Sequence, residues 1–580
     1  MNTTTARGAG LLARHGRHWP RPNGITIIGI LLLIALGFLV LYPLLLLVVG
    51  SFLEGLPSDP AAALSLEGWR AVFTERRVLG SLANTLILGF TYTIISLPLA
   101  LGIAWLLART DIPGSGWLEF GFWVSFFLPT LGVVQGWILL LDPSFGLLNT
   151  ALRDLFGLSS GPFNIYSMGG IVFAHLVTNA VSAKVMLMTP AFRIVDSSLE
   201  EASRIAGDTP LQTLRRILVP ILAPTVLVIT VLGIIRSLES FEIELILGTP
   251  HRIDVYSTLI YRLVQNDPPD YQIASALGVA IMMLMAVLIW LQFRAVRRRS
   301  FTTVTGKHQT RLLHLGAWRW PAFTFVALIL VVLVAAPVAF LIAGTAMTIY
   351  GFFDIPNAWS LMHWREVLGD RVFVGSLWNT LKLAGGAALF TMTVCFIIAY
   401  FVVRSGFRGA SALDLLSWVP FSMPGVLFSL AFLWVILSTP LISALYGSTL
   451  LLILAVSLTT LTLGVQIIKT ALIQLAPELE EASLVSRATL PQTLWRITVP
   501  LAIQAILVAG IMGFITAGRN IGHLALLVTS DNRPLAILQL EYMVEGRYEA
   551  AAVVGTVVAL ATIVVALIAR ATGLRMGIRT

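Results

Sequence analysis

Apolar residues run along this chain in long blocks and not in alternation. Windows free of Asp, Glu, Lys and Arg cover 23–53, 78–108, 120–141, 217–235, 273–293, 322–353, 383–403 and 550–569. Each is long enough to cross a hydrocarbon layer of ~30 Å, which takes about 20 helical residues. The uncharged stretch 415–468 is interrupted by Pro440 and Gly447, so it divides into two spans. A further span near 166–187 and one from Leu501 into the 510s bring the expected number to twelve. Within lipid every backbone N–H and C=O must find a partner inside the protein, and no strand-like alternation offers a barrel. The pattern therefore predicts an all-α polytopic membrane protein.

The same pattern is written twice. Trp69-Arg70 returns as Trp364-Arg365, Asn84 as Asn379, Arg109 as Arg404, Trp123 as Trp418 and Pro129 as Pro424, all 295 residues later. Further on, Glu201 returns as Glu481 at an offset of 280, and Tyr271, Ala274 and Gly278 return as Tyr548, Ala551 and Gly555 at 277. A long external loop, 142–164, accounts for the first change of offset, because "PLISALYG" from Pro440 is its shorter counterpart. With six spans in each half, the two repeats share one orientation and place a pathway between them. The expected organisation is a basic N-terminus 1–22, a first repeat 23–293, a linker 294–320, a second repeat 321–570 and a tail 571–580.

Composition agrees. Of 580 residues 57% are hydrophobic and 12% charged, and the mean hydropathy is +0.88. The net charge of +9 comes from short basic clusters between spans: Arg7 to Arg21, Arg294 to Arg311, and Arg570 to Arg579. The positive-inside rule accounts for them without nucleic acid, and places both termini and the linker in the cytoplasm. The N-terminal apolar run is about 30 residues long and lacks a small-residue cleavage site, so it is expected to be a retained first span and not a signal peptide. Cys395 stands alone inside an apolar span, which excludes a disulfide or metal framework and leaves a packed thiol.

One polar passage interrupts this apolar text in both halves: "LEEASRIAGDTPLQTLRRILVP" at 199–220 and "LEEASLVSRATLPQTLWRITVP" at 479–500. They share 13 of 22 positions, where chance gives roughly one. A short amphipathic helix opened by acids suits insertion into a groove on a partner protein, and its carboxylates sit where the macrodipole favours them. These passages resemble the EAA loop of bacterial binding-protein-dependent ABC importer permeases: Glu-Ala-Ala, three residues, Gly, nine residues, then Ile, any residue, Leu-Pro. The first copy matches at Glu201, Ala202, Gly207, Ile217 and Pro220; the second matches at Glu481, Ala482, Ile497 and Pro500, with Arg487 in place of the glycine. The turn at that glycine favours a left-handed backbone, which costs an arginine more.

The resemblance covers nearly the whole chain and is to the fused, double-length permeases of the ferric-iron and thiamine group. It implies a MetI-like fold in the inner membrane, and two identical ATP-binding subunits docked on the loops near Glu200, Glu201, Glu480 and Glu481. It also implies a periplasmic or tethered solute-binding protein. ATP and Mg would be used by the ATPase, since this chain has no phosphate-binding G-x-x-x-x-G-K-[ST] loop; it is expected to bind no cofactor and to be no enzyme. "SLESFEIELILGTP" at 237–250 is similar to the iron-type first half, whereas Arg519, Asn520, Ile521 and Gly522 stand where ferric permeases often read Lys-Glu-Leu-Pro.

Ionisable groups in a span are functional candidates. Glu239 and Glu242, three residues apart, are expected on one helical face, with Arg519, Asn520 and His523 opposite them at the outer end of the pathway, ~28 Å of helix beyond Pro220 and Pro500. Carboxylates there suit a hard or cationic cargo, and Arg519 and His523 an anionic part. Pairing across the seam between halves is the plainer reading of Glu242 and Arg519. Lys184 is expected to snorkel toward the cytoplasmic side, and His175 to be a packed or hydrogen-bonded core residue. No metal site is assigned. The expected cargo is ferric iron, with thiamine or a phosphonate as alternatives; a proton-coupled secondary transporter is the rival class, and a membrane enzyme finds no nucleophile-and-base spacing to support it.

Overall fold

The computed structural model describes residues 23–55, 62–297 and 312–571. The expected basic N-terminus 1–22, most of the basic linker cluster and the tail from residue 572 lie outside the described residues.

Among the described residues, nine helices are long and apolar enough to cross a membrane: Gly24–Gly50, Arg76–Arg109, Met168–Ile194, Tyr271–Leu291, Gly316–Thr345, Arg371–Val403, Thr449–Gln474, Leu490–Arg519 and Tyr548–Ile568. Two more crossings are bent, Ser115–Phe127 with Thr130–Leu141 by 97° and Pro210–Ile221 with Ala223–Leu238 by 78°. Ala410–Trp418 with Gly425–Ser438 occupies, in the second repeat, the place of the first bent pair, which brings the passes to twelve. The fold is two parallel six-helix repeats.

The bends have a covalent cause. Pro129 removes a backbone donor and forbids helical geometry to its predecessor, and Leu128 accordingly sits at ψ 142°. Pro424 does the same to Met423, at ψ 120°. Continuous spans were expected at 120–141 and after 415, so the breaks correct that reading. The fifth crossing differs between repeats: Pro224 stands two residues after the break at Leu222, whereas Gln504 stands at its counterpart and Leu490–Arg519 runs on unbroken.

Each repeat reaches across to the other. The first helix of each packs on the broken span of its partner, Gly24–Gly50 on Gly425–Ser438 and Gly316–Thr345 on Thr130–Leu141. A Cβ at Gly50 would meet the Trp434 ring at 2.6 Å, and no side chain fits at Gly136 beside the Pro337 carbonyl. Small residues let helices approach where lipid supplies no hydrophobic drive, and buried polar pairs then fix their register. Trp434 Nε1 donates to Ser275 Oγ at 2.9 Å, and Gln135, contacting the backbone of Tyr548 and the hydroxyl of Tyr350, ties the other side of the seam. Cys395 is fully buried against Gly464.

Candidate functional site

The repeated polar passage folds into the same elbow twice. In the first copy Asp196 caps the helix Ser197–Ile205, accepting from Ser198 N at 3.0 Å, and in the second the helix is Glu478–Val485. The residues common to both copies are mostly its internal joinery. Ser203 Oγ meets Thr213 Oγ1 at 2.9 Å, and Ser483 Oγ meets Thr493 Oγ1 at 2.9 Å. Gln212 accepts from Thr209 N at 2.7 Å, and Gln492 from Thr489 N at 2.9 Å, one arm of a capping box. Before the closing proline the helix widens into a π turn, with Val219 N–H bonded to the Leu214 carbonyl and Val499 N–H to that of Leu494. Pro220 and Pro500 cannot donate and crowd the carbonyl four residues back, which explains why the shared Val-Pro produces the same widened turn in both copies.

Glu200 turns into the protein. It is buried, with Oε1 at 2.6 Å from both Nε and Nη2 of Arg109, which also donates to the Val195 carbonyl at 3.1 Å. Its counterpart Glu480 stands 3.9 Å from Arg404 Nε and accepts from Thr498 Oγ1 at 3.0 Å, while Arg404 donates to the carbonyls of Leu472 and Leu475. Arg109 and Arg404 are themselves repeat counterparts, so the pair fastens each elbow to the end of the second span. Glu201 and Glu481 are half-buried, and Ala202, Gly207, Ala482 and Arg487 are exposed. The turn takes φ +92° at Gly207 and +64° at Arg487, with equivalent hydrogen bonds, so the arginine holds the left-handed geometry expected to cost it more.

The outward surface of the elbows is apolar, a feature the acid-centred reading missed. Ile205 is 88% exposed and its counterpart Val485 82%, with Leu211 at 71% and Trp495 at 75% nearby. Exposed aliphatic and aromatic side chains on a polar loop suit a protein partner. The signal was present in the sequence as an apolar residue kept at the same elbow position in both copies.

At the other end, the candidate pathway residues meet where both broken spans restart. Glu239 and Glu242 do not share a helical face, because the helix Ala223–Leu238 ends before them and a new turn begins at residue 242. Glu239 pairs with Arg236 at 2.6 Å. Glu242 faces Arg519 across the seam and accepts from Thr130 and from the Ile521 backbone. Arg519 in turn donates to the carbonyls of Phe126, at 2.5 Å, and Leu128, closing the C-terminus of the first half-helix. Asn520 accepts from His523 N at 3.1 Å, and that turn seats against Gly425, where a Cβ would lie 2.8 Å from His523 Nδ1. Thr130 and Gly425 begin the two restarting half-helices; the first N-terminus meets Glu242 and Arg519, and the second seats His523, so two helix ends that favour negative charge flank the turn 519–523.

Of two further ionisable residues, one departs from expectation and one follows it. Lys184 is buried and folds back onto the Ala180 carbonyl at 3.1 Å, beside the Tyr92 ring, instead of snorkelling outward. His175 is a core residue as read from the pattern, stacked on Tyr92, and its Nε2 lies 2.7 Å from Glu244, a partner 69 residues away that no local spacing announces. Among the described residues no group of three or more His, Cys, Asp or Glu side chains could hold a metal ion.

Residues 391–577 match the family described as "Binding-protein-dependent transport system inner membrane component". The chain is 27% identical over 553 residues to the ferric transport system permease protein FbpB of Actinobacillus pleuropneumoniae, covering 92% of this chain and 76% of the relative. It is 30% identical over 217 residues to PhnU of Salmonella typhi, a permease named for 2-aminoethylphosphonate transport, covering 37% of this chain and 73% of that one. With the molybdenum transport system permease protein ModB of Escherichia coli K12 it shares 29% over 242 residues, 40% of this chain and 96% of that one. A chain of a solved bacterial ABC transporter that imports alginate aligns at 19% identity and TM-score 0.40, over 47% of this chain and 96% of its own length.

Proposed function

This chain belongs to the inner membrane components of binding-protein-dependent transport systems, as a multi-pass permease of the ABC importer class, and we propose that its cargo is ferric iron. The observation that carries the proposal is the match, over 92% of this chain and 76% of the relative, to a permease named for ferric transport. Relatives named for phosphonate or molybdenum transport align with less than half of it.

In this reading an external binding protein delivers the cargo between the repeats, and two ATP-binding subunits, which bring the ATP and Mg, dock on the elbows. Both elbows and both termini then face the cytoplasm, in keeping with the basic clusters at residues 7–21 and 570–579. Closure of the ATPases draws the elbows together, and the buried Arg109–Glu200 link carries that movement into the 34-residue helix Arg76–Arg109. At the outer end, rearrangement of Glu242, Arg519 and the half-helix termini opens or shuts the seam.

The geometry favours a second reading in one respect. Two helix N-termini, Arg519 and His523 make an environment suited to an anion, as in a phosphonate or a ferric ion carried with an anionic chelator. Uptake assays in cells with and without the chain separate the readings. Accumulation of radioactive iron that requires the chain, and is abolished when ATP is depleted while the proton gradient is maintained, is the expected result. Chain-dependent uptake of 2-aminoethylphosphonate with unchanged iron would overturn the iron reading, and uptake that follows the proton gradient alone would overturn the class of energy source.

A further inference from the structure

Behind the outer end of the first repeat lies a crevice of about 230 Å³, below the roughly 300–1,000 Å³ of ordinary small-molecule pockets. Val72 and Phe73 of the short helix Glu67–Thr74, Leu79, Leu82 and Leu86 of Arg76–Arg109, and Ala280 and Leu284 of Tyr271–Arg297 form most of its wall, with Leu238 at its end. Thr85 gives it its one hydroxyl. The wall is hydrocarbon, and the neighbouring helix surface at Leu79, Ile87 and Phe90 is exposed and apolar, so the crevice opens toward lipid.

Its lining residues have basic neighbours along the chain. Arg70 stands one turn before Phe73 and Arg76 one turn before Leu79, so each lies on the same side of its helix as a lining residue, and Arg77 follows. All three are exposed, and none forms an ion pair among the described residues, although Glu67 and Glu75 belong to the same segment. In the second repeat the corresponding residues are Arg365, Arg371 and Val372, and the adjacent Glu366 engages Arg547 at 3.2 Å. Arg76 and Arg109 are opposite ends of one helix of 34 residues, ~50 Å long, so these arginines sit on the face away from the elbows. Basic residues there run against the usual bias of membrane proteins.

We propose that this crevice is a lipid site: it takes one acyl chain of an anionic phospholipid from the outer leaflet, with the phosphate held between Arg70 and Arg76. The chain would wedge behind Leu238, the last helical residue before the break at Glu239. Thr85 accepts from the Tyr256 backbone at 3.0 Å, and the Tyr256 hydroxyl reaches the Leu238 carbonyl, so the crevice wall and the outer pathway share a framework. The proposal rests on the orientation read above, with the elbows on the cytoplasmic side, and is independent of the cargo.

The full-length protein in detergent, titrated with dioleoyl phosphatidylglycerol or dioleoyl phosphatidylethanolamine and weighed by native mass spectrometry, tests it. One phosphatidylglycerol should be retained in preference to phosphatidylethanolamine. Arg70→Gln should weaken it about fivefold and Arg70→Gln with Arg76→Gln about 25-fold. Ala280→Phe, which fills the crevice and spares both arginines, should abolish retention. Phosphatidylglycerol, not phosphatidylethanolamine, should raise the wild-type Tm, a readout that needs no variant. Equal retention by the double variant or by Ala280→Phe, displacement by millimolar glycerol 1-phosphate, or a wild-type Tm indifferent to headgroup would each overturn the proposal.

Discussion

The two elbows are one design under two loads. Both use Ser203 or Ser483 with its threonine, the same capping glutamine and the same widened turn before proline. Yet the first is closed by a 2.6 Å buried ion pair, turns at glycine and leads into a helix bent by 78°, while the second has a 3.9 Å pair, turns at an arginine and continues straight. Identity between the copies therefore marks, for the most part, what holds the elbow together. Outward, Leu199 and Leu479 are identical too, whereas the most exposed apolar position is preserved as a physical type, Ile205 in one and Val485 in the other.

Breaking the ion pairs should separate the copies most. Glu200→Ala leaves the buried Arg109 uncompensated, at a cost of about 3–5 kcal/mol; hydrogen exchange should show the helix Ser197–Ile205 opening, with transport lost. Glu480→Ala should cost about 1–2 kcal/mol, because Arg404 keeps the carbonyls of Leu472 and Leu475. Equal exchange in the two variants would erase the distinction. Next in size, Gln504→Pro puts the first repeat's proline into the unbroken Leu490–Arg519 helix and should cost about 3 kcal/mol, measurable as a lowered Tm. Arg487→Gly should stabilise the second elbow by about 1 kcal/mol by relieving the left-handed arginine, while Gly207→Ala destabilises the first.

The smallest effect concerns a tether that, among the described residues, stands only beside the first elbow. The linker residue Leu313 bonds to Arg109 and Asp111 through the backbone, and Asp111 accepts from the Leu315 N–H at 2.9 Å and faces His314 at 3.1 Å. The Leu315 N–H, followed by His314, holds the Asp111 carboxyl below the usual carboxylate range. A lowered folded-state value means the tether's contribution is complete above the ordinary carboxylate pKa, near 4, and is lost as pH falls through the lowered one. Cross-linking of the linker to residue 111 should thus be constant from neutral pH down to about 5 and decline only in stronger acid, and Asp111→Asn should flatten that decline.

Much of this was legible in the sequence because lipid leaves few choices. Apolar runs predicted the twelve passes, and the offsets of 295 and 280 predicted the repeats and paired Arg109 with Arg404 before either had a partner. What escaped was long-range or sharply local. His175 and Glu244 meet only in the folded chain, and Lys184 turned inward because the Ala180 carbonyl lies within its reach. Glu239 and Glu242 lost their common face because the helix stops at Leu238. Pro129 and Pro424 were visible as a repeated pair, yet their meaning, two half-helices restarting at Thr130 and Gly425, needed the geometry of the residues before them.

The most direct test of the account places cysteines at the two outward apolar positions. Cys395 is fully buried and sits against Gly464, so Ile205→Cys and Val485→Cys can be labelled with little background. In native membranes each variant should cross-link to one ATP-binding subunit, two per chain when both cysteines are present, with ATP changing the yield at both. A chain that cross-links at neither position and purifies alone would contradict the claim that the repeated elbows are the coupling sites.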